Sequence, residues 1–187
     1  FPLQYNAEVL GEYAEAQAAQ RQVMLYSAIV AIAILILLQM VFASWRLALL
    51  TFITLPSAVI GGVLAAYLGD PVISIGSIVG FVTVFGIAAR NVILLVHHCQ
   101  HLEKYENEPF GPALVIRAAK ERLAPILMTT AATGLALIPL VVQGDISGQE
   151  IVLPTAIVIL GGLVTSTLLA LFVVPSWYLR FGKAAAD

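Results

Sequence analysis

The sequence predicts an all-α fold, an integral membrane bundle of five transmembrane helices. The first observation is composition: 60% of the 187 residues are hydrophobic and 11% are charged, whereas soluble domains average about 25% charged residues. The second is length, because five continuous apolar runs come close to or exceed the roughly 20 residues that a helix needs to cross the hydrocarbon core. The third is that these runs do not alternate between polar and apolar residues, which leaves helices as the spanning structure.

The five apolar runs are the predicted spans, and together they make residues 22–180 one transmembrane domain. They cover residues 23–42, 47–68, 72–96, 125–142 and 152–178. Turn-forming residues separate the second run from the third, with the sequence GDP at 69–71. They also separate the fourth run from the fifth, with GD at 144–145 and SG at 147–148.

Three polar segments flank the predicted spans. Residues 1–21 are rich in Ala, Glu and Gln, which favour helix, so this segment is predicted to lead into the first span. Residues 97–123 are predicted to form a loop that contains a short helix, GPALVIRAAKERL, which lies on the membrane surface or against the bundle. Residues 181–187 form a tail.

The basic residues predict how the chain is oriented. If the spans alternate in direction, seven of the nine Lys and Arg lie on one side of the membrane: Arg46, Lys104, Arg117, Lys120, Arg122, Arg180 and Lys183. By the positive-inside rule this side is cytoplasmic, so the N-terminal segment is outside and the C-terminus inside. The net charge of −2 argues against a nucleic-acid partner.

Arg90 is the one charged residue within the apolar runs. A charge at the centre of a spanning helix costs about 2.5–3.5 kcal/mol on insertion scales, so it needs a partner or a water-filled cavity. All eleven acidic residues lie outside the apolar runs. Either Arg90 extends to the inner headgroups, or its counter-ion belongs to protein outside this chain.

Polar residues near Arg90 suggest a hydrogen-bonded path. Asn91 follows it directly, and Thr129 lies at about the same depth on the fourth span, where the two helices can bring Thr129 to face Arg90. The alternative for the threonines of this span, which include Thr130 and Thr133, is bonding to carbonyls of their own helix or close helix packing. Glycines are predicted to mark packing faces, namely Gly61, Gly62, Gly76, Gly80, Gly86, Gly161 and Gly162.

His97, His98 and His101 follow the third span, and two interpretations apply to them. A spacing of four residues suits a transition metal, but imidazoles at a membrane edge are also ordinary interfacial residues, and this second interpretation is favoured. No metal site and no cofactor are predicted. HExxH, GxSxG and Walker lysine motifs are absent, so the chain is not predicted to be an enzyme.

Five stretches resemble the resistance-nodulation-division (RND) efflux permeases. GFVTVFGIAARNVILLVHH at 80–98 is similar to their tenth transmembrane helix, and RLAPILMTTAATGLALIPLVV at 122–142 to the eleventh. Residues 157–179 resemble the twelfth helix and residues 55–69 the ninth, while GEYAEAQAAQ resembles the end of a periplasmic porter domain that leads into the eighth. The resemblance covers essentially the whole chain, and the sequence is more similar to the heavy-metal branch of the family than to the drug branch.

The resemblance implies a proton-driven exporter of the bacterial inner membrane, of which this chain is half of a two-repeat membrane domain. Its implied partners are the N-terminal half and porter domains of the same transporter, two further copies in a homotrimer, a periplasmic adaptor, an outer-membrane channel and membrane lipid. In the drug branch a lysine stands at the position of Arg90 and pairs with two aspartates on the fourth helix. Asn91, Thr129 and Arg122 are expected in the same proton relay.

Two departures from the family pattern limit what carries over. Ala124 stands where the drug branch often has a second arginine, and no glutamate lies near position 90, which disfavours a methionine-relayed route for monovalent copper. The resemblance does not identify the substrate, because the porter domains select it. Metal cations and small toxic compounds are both compatible. Two further alternatives are a non-transporting scaffold or assembly subunit and a protein-export or lipid-export relative of the same superfamily.

Overall fold

The computed structural model describes residues 10–69, 74–144 and 150–182, and their elements are all helices. They are α1 (Leu10–Phe42), α2 (Trp45–Thr54), α3 (Pro56–Gly69), α4 (Ile75–Tyr105), α5 (Pro112–Gln143), α6 (Val152–Leu168), a π-helical segment (Leu169–Val173) and α7 (Val174–Phe181). Within these described ranges, five helical units are long and apolar enough to cross a membrane. The predicted all-α membrane bundle is confirmed.

Two of the five crossings are interrupted helices. The second consists of α2 and α3, which meet at Leu55, directly before Pro56. The fifth consists of α6, the π-helical segment and α7, with Pro175 at the start of α7. Proline lacks a backbone N–H and removes one bond of the helical ladder, and a proline lies at each of these two interruptions, Pro56 at the first and Pro175 at the second.

The helices extend beyond the apolar runs. The ladder of α4 continues through the histidines to Tyr105, and at its start Ser74 accepts a hydrogen bond from the backbone N–H of Ser77 at 3.2 Å. Gly144, with φ of +72°, directly follows α5, in agreement with the turn predicted there. The remaining predicted turn residues, at 70–71, 145 and 147–148, lie outside the described residues.

The short helix predicted at 111–123 is not a separate element. It is continuous with the fourth span in the 32-residue helix α5, which contains Pro125 and Pro139. Its apolar residues Leu114, Val115 and Ala118 are buried against the bundle. Of the two predicted positions, on the membrane surface or against the bundle, the structure shows the second. Pro125 removes only one backbone bond of the ladder. The burial of the preceding turns compensates for this loss, and α5 continues through the proline.

Close contacts between small residues join α3, α4 and α6. Gly61 and Gly161 lie so near that a Cβ on either would overlap the other's backbone carbonyl. Thr165 reinforces the α3–α6 contact, because its hydroxyl donates to the Ala58 carbonyl and accepts a hydrogen bond of 3.3 Å from the Gly61 N–H. Gly62, Gly76, Gly80 and Gly162 also have neighbours where a Cβ would stand. The interpretation of these glycines as packing residues agrees with the structure, and Gly86 is the exception.

Candidate functional site

Arg90 lies on a stripe of α4 that no described element covers. The stripe recurs every three or four residues and consists of Val79, Thr83, Gly86, Arg90, Leu94 and His97. Its large apolar members are well exposed, with Val79 at 39% and Leu94 at 38% of their full accessible area. The opposite face of α4 is packed, and Val84, Ala88, Val92 and Leu95 are buried there. We call the uncovered surface the open stripe.

Gly86 shows that the open stripe has room for close approach. A Cβ added at Gly86 would meet nothing within 4 Å, although the helix packs its other faces tightly. Gly86 lies one turn before Arg90 on the same surface. A small residue at this position leaves space for a neighbouring backbone beside the arginine.

No carboxylate in the described part of the chain lies within ion-pair distance of Arg90. The ion pairs there involve only His98, Arg117 and three glutamates. Arginine is the most strongly basic of the side chains. Arg90 is therefore an exposed cation within an apolar span, on the one face of its helix that lacks neighbours.

Asn91, Thr129 and Arg122 do not form a single site with Arg90 in this chain. Asn91 is only 5% exposed and belongs to the packed side of α4. The Thr129 hydroxyl donates to carbonyls of its own helix, those of Pro125 at 3.1 Å and Ile126 at 3.0 Å. Thr129 therefore bonds to its own helix, as the alternative interpretation predicted. Both Thr129 and Arg90 are described residues, and no hydrogen bond joins them.

Arg122 lies where the polar start of α5 meets the apolar span. The residue is half-buried, and its Nε is fully buried without a hydrogen-bond partner among the described residues. An unpaired buried donor is unfavourable because it has lost its water. Arg122 therefore has unused hydrogen-bonding capacity close to the membrane edge.

The sequence did not reveal an ion cluster between the third and fourth apolar runs. Arg117 donates through Nη2 to Glu106 at 2.7 Å, through Nη1 to Glu108 at 2.9 Å and through Nε to Glu121 at 2.9 Å. Nε2 of His98 lies 2.6 Å from the other Glu121 oxygen. An ionised carboxylate can only accept, so this nitrogen carries the proton. The cluster links the end of α4 to the start of α5.

The electrostatics of this cluster follow from its contacts. The hydrogen bond from His98, followed by the one from Arg117, lowers the pKa of the Glu121 carboxyl. His98 is therefore engaged with a carboxylate. The ring of His101 stacks near it, at a centroid distance of 6.4 Å. Within the residues that the structure describes, no three His, Cys, Asp or Glu side chains form a group that could hold a metal ion.

The sequence also did not reveal a polar contact between α5 and α6. The hydroxyl oxygens of Thr130 and Thr167 are 3.0 Å apart. They are separated by 37 positions in the sequence, and only the tertiary packing brings them together. The sequence shows three threonines in the fourth span, but it does not indicate which of them contacts another helix.

The described helices form a membrane bundle that carries an exposed cation on one helix face. Residues 1–182 match the model of the AcrB/AcrD/AcrF family. The chain belongs to this family, and the predicted resemblance to RND permeases is confirmed.

Individual relatives support the same assignment. The chain is 34% identical over 167 residues to the nickel and cobalt resistance protein CnrA of Cupriavidus metallidurans, covering 89% of this chain and 15% of CnrA. It is 34% identical over 167 residues to the solvent-resistant pump membrane transporter SrpB of Pseudomonas putida, covering 89% of this chain and 16% of SrpB. It is 37% identical over 149 residues to the multidrug resistance protein MdtC of Erwinia amylovora, covering 79% of this chain and 14% of MdtC.

A solved structure agrees with these relatives. The chain matches the crystal structure of a heavy metal efflux pump with a TM-score of 0.77 and 31% identity, covering 92% of this chain and 17% of the pump. The metal-efflux members among these matches agree with the predicted placement near the heavy-metal branch. The chain spans only 14–17% of the length of these four proteins.

Proposed function

We propose that this chain is part of a proton-driven efflux transporter of the bacterial inner membrane, and that Arg90 is the fixed cation of its proton relay. The observation that supports this proposal is the position of Arg90 on the open stripe. A cation within an apolar span requires a partner, and the stripe offers space for one. By the family resemblance, the partners are two aspartates on the fourth helix of the same transporter.

The proposed mechanism follows from the charge of the guanidinium. A nearby positive charge lowers the pKa of a carboxyl group and keeps it ionised. Arginine side chains keep their charge, so in this mechanism proton entry neutralises the partner carboxylates. Neutralisation weakens the ion pair and shifts the population of helix arrangements. Proton binding on one side and release on the other would then drive the conformational cycle.

The other predicted residues take supporting roles in this proposal. Thr129 lies on the exposed side of the α5 span and holds water or a hydrogen-bond partner along the proton path. Arg122 has a free Nε at the membrane edge and serves the inner end of the path. Asn91 follows Arg90 directly and supplies a hydrogen bond or holds water along the same path, from the buried side of α4. These assignments come from the resemblance and from the positions described above.

The proposed substrates are metal cations or small toxic compounds. The relatives carry names that refer to nickel and cobalt, solvents, and multiple drugs. The proposed assembly is a homotrimer with the N-terminal half and porter domains of each copy, a periplasmic adaptor and an outer-membrane channel. The N-terminal segment is proposed to be periplasmic and the C-terminus cytoplasmic, as the distribution of basic residues predicts.

Substitution of Arg90 in the intact transporter tests the proposal. R90A should abolish proton-coupled efflux from membrane vesicles without reducing the amount of assembled protein in the membrane. R90K keeps a positive charge and should retain part of the activity. R46A is the matched control, because Arg46 is an exposed cation at the start of α2, at the edge of the second crossing rather than in the middle of a span. Efflux by R90A at the wild-type rate would refute the proposal and favour a scaffold role.

A further inference from the structure

The span of α5 is held loosely in the bundle. The buried residues of this helix are Leu114, Val115 and Ala118, all before Pro125, and after it only Ile126. By contrast, α6 has seven buried residues, including Leu163, Ser166 and Thr167. Few apolar contacts therefore hold the α5 span in one rotation about its own axis. A single hydrogen bond to another helix can then contribute strongly to that orientation.

Thr130 provides that directed contact. Thr167 donates its single hydroxyl proton to the Leu163 carbonyl at 2.7 Å. Its oxygen can therefore only accept from Thr130 across the 3.0 Å contact. Thr129 and Thr133 instead bond to carbonyls of α5 itself. Among the three threonines of this span, Thr130 is the one that donates to another helix.

The acceptor is attached to a rigid part of the bundle. Thr167 is 7% exposed and lies on α6, whose Gly161 and Gly162 pack directly against α3 and α4. A hydrogen bond to this fixed acceptor keeps the Thr130 side of α5 turned towards α6. Thr129 is the preceding residue and lies about 100° around the helix from Thr130.

We propose that Thr130 is a positioning residue, whose hydrogen bond to Thr167 fixes the rotation of the α5 span and thereby the direction of Thr129 in the proton path. This inference rests on the proposed function. The effect of losing the bond should be moderate, because hydrogen bonds between spanning helices change an equilibrium on average by only about threefold, and by about eighteenfold at most.

Three threonine variants of the intact transporter provide the functional test. T130V removes the donor and keeps the shape, and it should lower proton-coupled efflux by about threefold or more and shift the pH profile of efflux. T130S restores the donor and should recover both the rate and the profile. T133V is the matched control, because it removes a hydroxyl of the same helix that bonds only to the Thr129 carbonyl, and it should keep the wild-type profile.

A labelling experiment measures the rotation itself. T129C, placed in a transporter without other accessible cysteines, should react with a water-soluble maleimide at a rate that changes when T130V is added and not when T133V is added. The inference is overturned if T130V keeps the wild-type rate and pH profile, or if T130S is as impaired as T130V. If R90A exports normally, the proposed function fails. If R90A is inactive and T130V is normal, only the role of Thr130 fails.

Discussion

Replacement of Gly161 by alanine should destabilise the bundle, because no space exists for a side chain at this position. The added Cβ would lie 2.5 Å from the Cβ of Ala65 and would overlap the Gly61 backbone carbonyl. Carbon atoms pack favourably at about 3.5–4.0 Å, so α3 and α6 would have to separate by about 1 Å. Neither obstacle is the flexible end of a side chain, so the helices themselves must move.

The expected size of this effect follows from the contacts that the movement disturbs. Overpacking of a well-packed core costs typically about 1–3 kcal/mol. The upper part of this range applies here, because separation also lengthens the hydrogen bond from the Gly61 N–H to Thr165, which is already 3.3 Å. The higher helix propensity of alanine offsets up to about 1 kcal/mol. A net loss of about 1–2 kcal/mol is expected.

The assay is unfolding of the purified intact transporter in detergent, followed by thermal melting or by titration with a denaturing detergent. G134A is the matched control. It replaces a glycine within another helix of the same bundle, where the added Cβ would lie 3.9 Å from a methyl carbon of Leu160, an ordinary van der Waals contact. G161A should melt at a lower temperature than the wild type. If G161A is as stable as the wild type, the close α3–α6 contact described here is wrong.

Further predictions concern the α3–α6 contact, the open stripe and the ion cluster. T165V should lower stability by about 0.6–1.7 kcal/mol, measured as above, and T165S should restore it; equal loss in both variants would contradict the hydrogen-bond explanation. G86L should leave the protein assembled but block efflux, because the proposed partner helix approaches the open stripe; normal efflux would show that this surface faces lipid. R117A should lower stability at low salt and much less in 1 M salt, because the ion pairs are exposed. The lowered pKa of Glu121 implies a contribution to stability that is present above the unfolded-state pKa of about 4.3 and is lost as pH falls through the folded-state value. Unfolding curves of E121Q and the wild type should therefore converge in acid, and a constant difference would contradict this.

The sequence predicted the features that depend on local composition. The five crossings follow from the apolar runs, and the packing role of Gly61 and Gly161 follows from their small size within such runs. The isolation of Arg90 followed from a count of acidic residues. Each of these features depends on hydropathy or residue size at one place in the chain.

The features that the sequence did not predict depend on contacts between distant residues. His98 and Glu121 are 23 positions apart, and Thr130 and Thr167 are 37 positions apart. The continuity of α5 through Pro125 likewise depends on burial of residues before the proline. Helical periodicity alone gives relative positions within one helix, and tertiary packing decides which helices those positions meet.

The π-helical segment in the fifth crossing determines which side chains of its last turns face inward. The Val174 N–H bonds to the Leu169 carbonyl, five residues back rather than four, so one extra residue is accommodated before α7. As a result Tyr178 lies in the core at 2% exposure, while Phe181 is 39% exposed. Deletion of one residue from this segment would restore ordinary α-helical phase and turn α7 by about 100°. Tyr178 would then leave the interior, so the length of this short stretch, and not only its composition, determines how the bundle closes at that end.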